Sequence, residues 1–280
     1  MILKYLIRAS LFLLVVIVLF IIITGGGFGN NRSPGPLENN KITFIAHRGL
    51  YNYYAENSYE GYEHCEEMGF ASIETDIRVT KDKQLVVFHD DSTSRLLGKE
   101  SLLDQINFSD LANYNLHFQG KATQNKVMRL DFFLENYKDK FIIYLDNKVN
   151  KRWVADSLII HMKNNEAQNK VLVASSNLLF LSYIKYKNKD IYTVLEGFDA
   201  GKEWIYHLIP KNFKPDYFSS FMSKVDDDQI AFMKNNRILN RKIVYGVDSS
   251  NVQAVLRSGI QHMIIDFDSS FTKVLHENMH

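Results

Sequence analysis

One cysteine, Cys65, stands among the 280 residues, so the chain has neither an intrachain disulfide framework nor a multi-cysteine metal site. It falls in a helix-like run, where a small buried hydrophobe is the plain reading rather than a reactive thiol. Charge of one sign is equally scarce. Lys and Arg number 33 against 32 Asp and Glu, and with Lys4, Arg8, Arg32 and Glu38 in the first forty residues the remainder is close to neutral. Displacing phosphate counterions needs clustered Lys/Arg, so no nucleic-acid partner is expected. No Gly-x-Gly-x-x-Gly follows the first strand-like run, which removes the cradle of a dinucleotide site. Internal repeats and low-complexity tracts are also missing. What is abundant is core material: 46% apolar and 13% aromatic residues place the chain outside the disordered class.

No charged residue occurs from Ala9 to Asn31, and 11–23 is an unbroken run of Leu, Val, Ile and Phe. A soluble surface helix would carry a polar face. At 1.5 Å per residue, about 20 residues cross a bilayer core, so 1–24 reads as a transmembrane anchor. Lys4 and Arg8 precede it, and the positive-inside bias keeps them cytoplasmic and exports the rest, which predicts a membrane-anchored, extracytoplasmic domain. A secreted form after signal cleavage is the alternative, since Gly25, Gly26 and Gly27 are small residues at a plausible cleavage position. Against cleavage, no Ala-x-Ala pattern follows the apolar run. Residues 25–40, with Pro34, Pro36 and few apolar side chains, read as a linker, and the globular domain is expected over 41–280.

From Lys41 onward β-branched and aromatic runs alternate with helix-period stretches, the grammar of parallel βαβ units. Expected strands are 42–46, 72–79, 141–145, 171–175, 191–195, 217–220, 243–247 and 263–267, with an extra hairpin-like strand at 84–88 and helices such as 153–163 and 251–257. Eight strand-helix units in this length predict a (β/α)8 TIM barrel. Residues 90–130 fit no unit and read as an insertion after the second strand, with a short helix near 109–114. An open doubly wound sheet is the alternative.

In such a barrel chemistry sits at the carboxyl ends of strands. The first strand ends Ala46-His47-Arg48-Gly49. The second carries Glu74 and Asp76, which strand alternation puts on one face. Two carboxylates brought together repel unless a cation lies between them, and hard divalent ions such as Mg²⁺ or Ca²⁺ favour those ligands. His89-Asp90 ends the extra strand, and Asp146-Asn147-Lys148 ends the third. Singly, each has a bland reading: a hydrogen-bonded structural histidine, an Arg48 on a surface carboxylate, a carboxylate paired with Lys or Arg, a solvated Lys148. Jointly, two imidazoles, three carboxylates, an Arg and a Lys at four strand ends point to holding an anionic oxygen cluster and moving protons, and phosphoester cleavage fits best.

The text Ala46-His47-Arg48-Gly49, Glu56-Asn57-Ser58, Ile73-Glu74-Thr75-Asp76, Thr80-Lys81-Asp82 and Val86-Val87-Phe88-His89-Asp90 resembles, in order and spacing, the glycerophosphodiester phosphodiesterases. The likeness is dense over 41–91 and looser beyond, where it rests on Asp146-Asn147-Lys148 and on 259–266. It implies metal-dependent hydrolysis of a small-molecule or lipid-derived phosphodiester to glycerol phosphate and an alcohol. By position, His47 and His89 look like the catalytic acid-base pair, Arg48, Lys148, Asn57 and Tyr245 like substrate-binding residues, and Glu74, Asp76 and Asp146 like ligands of a divalent cation, Mg²⁺ or Ca²⁺.

Departures are visible. Asp146 stands where the family usually has Glu, an exchange that sphingomyelinase D-type relatives resemble. Ala174-Ser175-Ser176 and Tyr245-Gly246-Val247-Asp248 replace the usual Ser-Phe and Trp-Thr-Val-Asn at positions expected to line the mouth, so Tyr245 reads either as a wall for the head group or as a core aromatic. Two rivals follow from these departures. One is a lysophospholipase D or a cyclising phospholipid phosphodiesterase. The other is a catalytically silent barrel acting as a binding protein.

Overall fold

The computed structural model describes residues 2–28, 35–37 and 41–278. The remainder of the expected linker, 29–34 and 38–40, and the last two residues of the expected domain lie outside them. In chain order the elements are α1 (Ile2–Thr24), β1 (Thr43–Ala46), α2 (Tyr59–Glu67), β2 (Ser72–Val79), β3 (Leu85–Val87), α3 (Ser94–Leu97), α4 (Phe108–Leu111), β4 (Asn115–Phe118), β5 (Lys121–Lys126) and α5 (Leu130–Tyr137). There follow β6 (Ile142–Asn147), α6 (Arg152–Asn164), β7 (Val171–Ser175), α7 (Leu178–Lys187), β8 (Tyr192–Glu196), α8 (Glu203–Leu208), β9 (Tyr217–Phe221), α9 (Asp227–Asn235), β10 (Lys242–Val247), α10 (Val252–Ser258), β11 (His262–Ile265) and α11 (Thr272–Asn278).

Among the described residues, the parallel strands run β1-β2-β6-β7-β8-β9-β10-β11, and β11 pairs back with β1, Thr43 opposite His262, to close the barrel. All eight expected strands are present. The extra strand, β3, is antiparallel on β2, with Ile77 opposite Val87. The strands are buried on both faces, which is why their sequences read as continuous Val/Ile/Leu runs rather than alternating ones. Their outward side chains meet the helices in one large core, while Ile45, Tyr144, Leu172, Val194, Tyr217, Ile243 and Ile264 fill the barrel interior. Helix starts follow local chemistry: Ser58, Asn177 and Asp226 each accept a backbone N–H from the first turns of α2, α7 and α9.

Two details differ from the sequence reading. The insertion holds α3, α4 and an unexpected hairpin, β4–β5, around a small cluster that includes Leu96, Leu103, Leu111 and Leu116. Polar residues such as Lys121, Thr123 and Gln124 hide that hairpin, because one of its faces is wet. The second is Leu37, within the expected linker yet 2% exposed and packed into the barrel-interior cluster. A single apolar side chain in a polar tract is invisible to a composition argument.

Candidate active site

Left-handed backbone shapes the rim first. Arg48, Gly49 and Leu50 all have positive φ (49°, 68° and 55°), so the chain turns sharply as it leaves β1. Gly49 and Gly61 touch there, since a Cβ on Gly61 would lie 2.2 Å from the Gly49 carbonyl oxygen. The turn aims the Arg48 backbone N–H at Glu74, 3.0 Å away. Strain at non-glycine residues persists where the surroundings over-determine it, and here it sits on the candidate residues.

Glu74, Asp76 and Asp146 converge. Each offers a carboxylate oxygen, and these lie within 4.8 Å of one another. Register explains it: β2 and β6 pair with Asp76 directly opposite Asp146 and Glu74 two residues back on the same face. Lys148 contacts Asp146 and lies 3.0 Å from Asp76, and the Arg48 Nε lies 3.2 Å from Asp76. Burial would raise Asp76, but Lys148 and Arg48 hold it below its usual range. Arg48 and Lys148 act on Glu74 too but more weakly, and the nearest ring nitrogen, His47 Nε2, lies 3.9 Å away. Burial, then the charge of Asp76, pushes Glu74 well above the carboxylate range, and burial also raises Asp146 despite Lys148. The Asp76 Oδ1 is buried and faces only the Lys148 ammonium, at 3.0 Å. Three buried or half-buried carboxylates converging on one point, with more negative charge than the neighbouring cations offset at Glu74 and Asp146, fit a hard divalent cation.

The imidazoles form two dyads. The His47 Nδ1 lies 2.6 Å from Asp266 at the end of β11, and the His89 Nδ1 lies 2.7 Å from Asp90. A carboxylate on Nδ1 fixes the ring and leaves Nε2 for chemistry. Tyr51 packs edge-to-face on His47 at 5.0 Å and hydrogen-bonds Asp266, and burial with that carboxylate pushes its hydroxyl up to about 12. Arg95, on α3 of the insertion, grips both Glu56 oxygens at 2.7 and 2.8 Å and both Asp90 oxygens at 2.7 and 2.9 Å. Burial opposes it, but the hydrogen bonds from Arg95 and His89 hold Asp90 at about 2. Glu56 also pairs with Arg48 at 3.3 Å, so one Arg–carboxylate network links the two dyad neighbourhoods.

Two expectations are corrected. Asn57 is 1% exposed and all its side-chain bonds are internal: it donates to Asp76 (2.8 Å) and accepts from Tyr62, Thr75 and the Asp76 N–H. Buried on these bonds, it holds the Asp76 carboxylate in place. Ser175, expected at the mouth, is wholly buried, bonded to Asn150 and to the N–H of Asn177. Tyr245 is half-buried, edge-to-face with Phe221 at 5.4 Å, and rests on the interior cluster.

The sequence reading passed over Asp266 as a partner, Arg95, and Glu196. Glu196 ends β8, one residue beyond the expected strand, and accepts a 2.8 Å bond from the Tyr144 hydroxyl. Burial, then the charge of Asp146, pushes its carboxyl up to about 8. Extending that strand by one residue and applying the strand-end rule would have found it. Arg95 carried no such signal, since its role depends on where the insertion folds.

A closed parallel barrel with carboxylates, imidazoles and cationic side chains gathered at the carboxyl ends of its strands is the architecture of a barrel hydrolase. The chain belongs to the glycerophosphoryl diester phosphodiesterase family, whose model matches residues 47–267. Among curated proteins it is similar to an uncharacterized protein, MG385, of Mycoplasma genitalium, 30% identical over 54% of this chain and 58% of that one. It is also similar to a glycerophosphodiester phosphodiesterase of Caldanaerobacter subterraneus, 26% identical over 52% and 62%. The chain thus spans about 60% of the length of these relatives. Among solved structures, one titled a glycerophosphoryl diester phosphodiesterase from Silicibacter pomeroyi superposes with a TM-score of 0.72 at 12% identity, covering 91% of this chain and 97% of that one. An Oleispira antarctica phosphodiesterase in complex with sn-glycerol-3-phosphate gives 0.70 at 16%, covering 84% and 96%. These likenesses carry the barrel fold.

Proposed function

We propose that the chain hydrolyses glycerophosphodiesters to glycerol phosphate and an alcohol, on a domain anchored by α1 at the extracytoplasmic side of a membrane. The observation that carries the reading is the pair of imidazole–carboxylate dyads, His47–Asp266 and His89–Asp90, beside the three-carboxylate cup of a family member. Glu74, Asp76 and Asp146 are the residues that would hold a divalent cation, Mg²⁺ or Ca²⁺. Such an ion supplies Lewis acidity to the phosphoryl oxygens.

The chain's own groups do the rest. Arg48 and Lys148 bear positive charge toward the anionic diester. His47, held by Asp266, takes the proton of the attacking water through Nε2 as the new P–O bond forms. His89, held by Asp90, gives its proton to the departing alkoxide as the old P–O bond breaks; one hydrogen of the water stays on the phosphate, the other rests on His47, and solvent carries a proton from His47 back to His89 to restore both. Tyr245 and Phe221 form an aromatic wall beside Glu196 for the alcohol.

The test is an assay of glycerophosphocholine, glycerophosphoethanolamine and a lysophospholipid, with EDTA and with added Mg²⁺ or Ca²⁺. Diester cleavage that EDTA abolishes and a divalent ion restores supports the reading. Turnover of the lysophospholipid alone gives the lysophospholipase D assignment, a cyclic phosphate product gives the cyclising one, and inertness toward all three gives the silent barrel.

A further inference from the structure

The anchor is fastened to the end of the barrel opposite the candidate site. The Asn212 side chain donates to the Ile22 carbonyl at 3.2 Å, the Lys211 N–H donates to the Gly27 carbonyl at 2.9 Å, and the Lys214 ammonium donates to the Phe28 carbonyl. Residues 211–213 form a short turn leading into β9, at the amino-terminal ends of the strands, and α7 packs against that same turn. Leu37 is buried with the interior cluster, a second point of attachment for this segment. Residues 4–24 of α1 are 21 in number and lie outside the domain, a length of about 31 Å against a hydrocarbon core of about 30 Å. The last turn of the span therefore lies at the boundary between hydrocarbon and head groups, and a domain bonded to the carbonyls of Ile22 and Gly27 sits within a few ångströms of that layer.

Apolar and basic side chains stand exposed at that end. Tyr186 (71% exposed) closes α7, and Leu208 (64%) closes α8, with Trp204 (60%) one turn earlier on the same helix face. Lys187 and Lys189, both exposed, and the half-buried Lys211 lie in the same segments, against the exposed Asp190. Aromatic and aliphatic side chains interspersed with lysine form the composition of a surface that rests in a bilayer interface.

We propose that the carboxyl ends of α7 and α8, with the 211–213 turn, form a footing that seats on the bilayer surface, with Leu208 and Tyr186 in the interfacial layer and Lys187, Lys189 and Lys211 over anionic head groups. It rests on the reading of α1 as an anchor. The cup then faces water, a barrel's height from the membrane, and takes its diester from the aqueous phase rather than from the lipid beneath it.

The test uses the full chain in phosphatidylcholine/phosphatidylglycerol vesicles, with Trp153→Phe and Trp204→Phe as background and one reporter added: Leu208→Trp at the footing, or Leu179→Trp at the opposite end of α7, where Leu179 is 81% exposed. The expected result is that the reporter at 208 is quenched by lipids spin-labelled near the head group and shielded severalfold from aqueous iodide, whereas the reporter at 179 is quenched by iodide and not by lipid. Equal iodide access at both positions, in protein that alkaline carbonate does not extract, overturns the footing and leaves the anchor standing. Extraction by carbonate overturns the anchor and the footing together.

Discussion

His47 and His89 each hold a carboxylate on Nδ1, and the two carboxylates differ in origin: Asp90 is the next residue, Asp266 lies 219 positions away. A positioned acid-base group contributes about 10² to 10⁴ in rate, so His47→Ala and His89→Ala are each expected to lose at least that order, measured as kcat on glycerophosphocholine with circular dichroism as the check on folding. An activated nitrophenyl diester, which departs without protonation, is expected to rescue His89→Ala and not His47→Ala. Asp266→Asn keeps the ring in place but disturbs its tautomer, so its loss falls in kcat rather than KM. Asn57 ties Asp76 to Tyr62 and Thr75, and Asn57→Ala is expected to weaken Mg²⁺ or Ca²⁺ binding about 10- to 100-fold, read by titration calorimetry. Glu196 gives a pH prediction. Its folded carboxyl titrates at about 8 against an ordinary 4.5, so the folded state binds the extra proton between those values and stability falls as pH rises from about 4.5 to about 8. Glu196→Gln removes that slope, and urea midpoints at pH 5 and pH 8.5, with EDTA present, are expected to differ less in the variant than in the parent.

Among elements, the insertion has a structural task at the rim. Its helix α3 delivers Arg95 to Glu56 and Asp90, which holds Asp90 at about 2. Asp90 therefore contributes stability that is present above about pH 4 and lost as pH falls toward 2, and Arg95→Ala is expected to move its titration upward toward the ordinary carboxylate value, followed by NMR. On the opposite side α7 is tied to the barrel by a wholly buried pair, Lys185 to Asp216 at 2.5 Å, with Asp216 also accepting the Thr193 N–H at 2.8 Å. Removing one partner of a buried pair costs about 3 to 5 kcal/mol, the loss expected for Lys185→Ala in urea unfolding, with the site chemistry at the other end of the strands unchanged.

For the whole molecule, α1 is joined to the barrel because its last turn and the residues after it are bonded to Asn212, Lys211 and Lys214. The full chain is expected to pellet with membranes and to stay there in alkaline carbonate. Recovery of a soluble form beginning near Gly26 would give the cleaved-signal reading instead.

The sequence alone determined the apolar span, the eight strands, and the convergence of His47, Glu74, Asp76, His89 and Asp146, because strand alternation and strand-end placement are local rules that a linear text obeys. Tertiary structure decided the rest. That Asp266 serves His47, that Arg95 ties Glu56 to Asp90, that Asn57 is used up holding Asp76 and that Leu37 plugs the barrel are contacts between residues distant in the chain. They are fixed only when the barrel closes and the insertion packs. The end of the barrel that meets α1 was hidden for the same reason: it is set by the hydrogen bonds of one polar turn, 211–213, whose partners lie some 190 residues earlier.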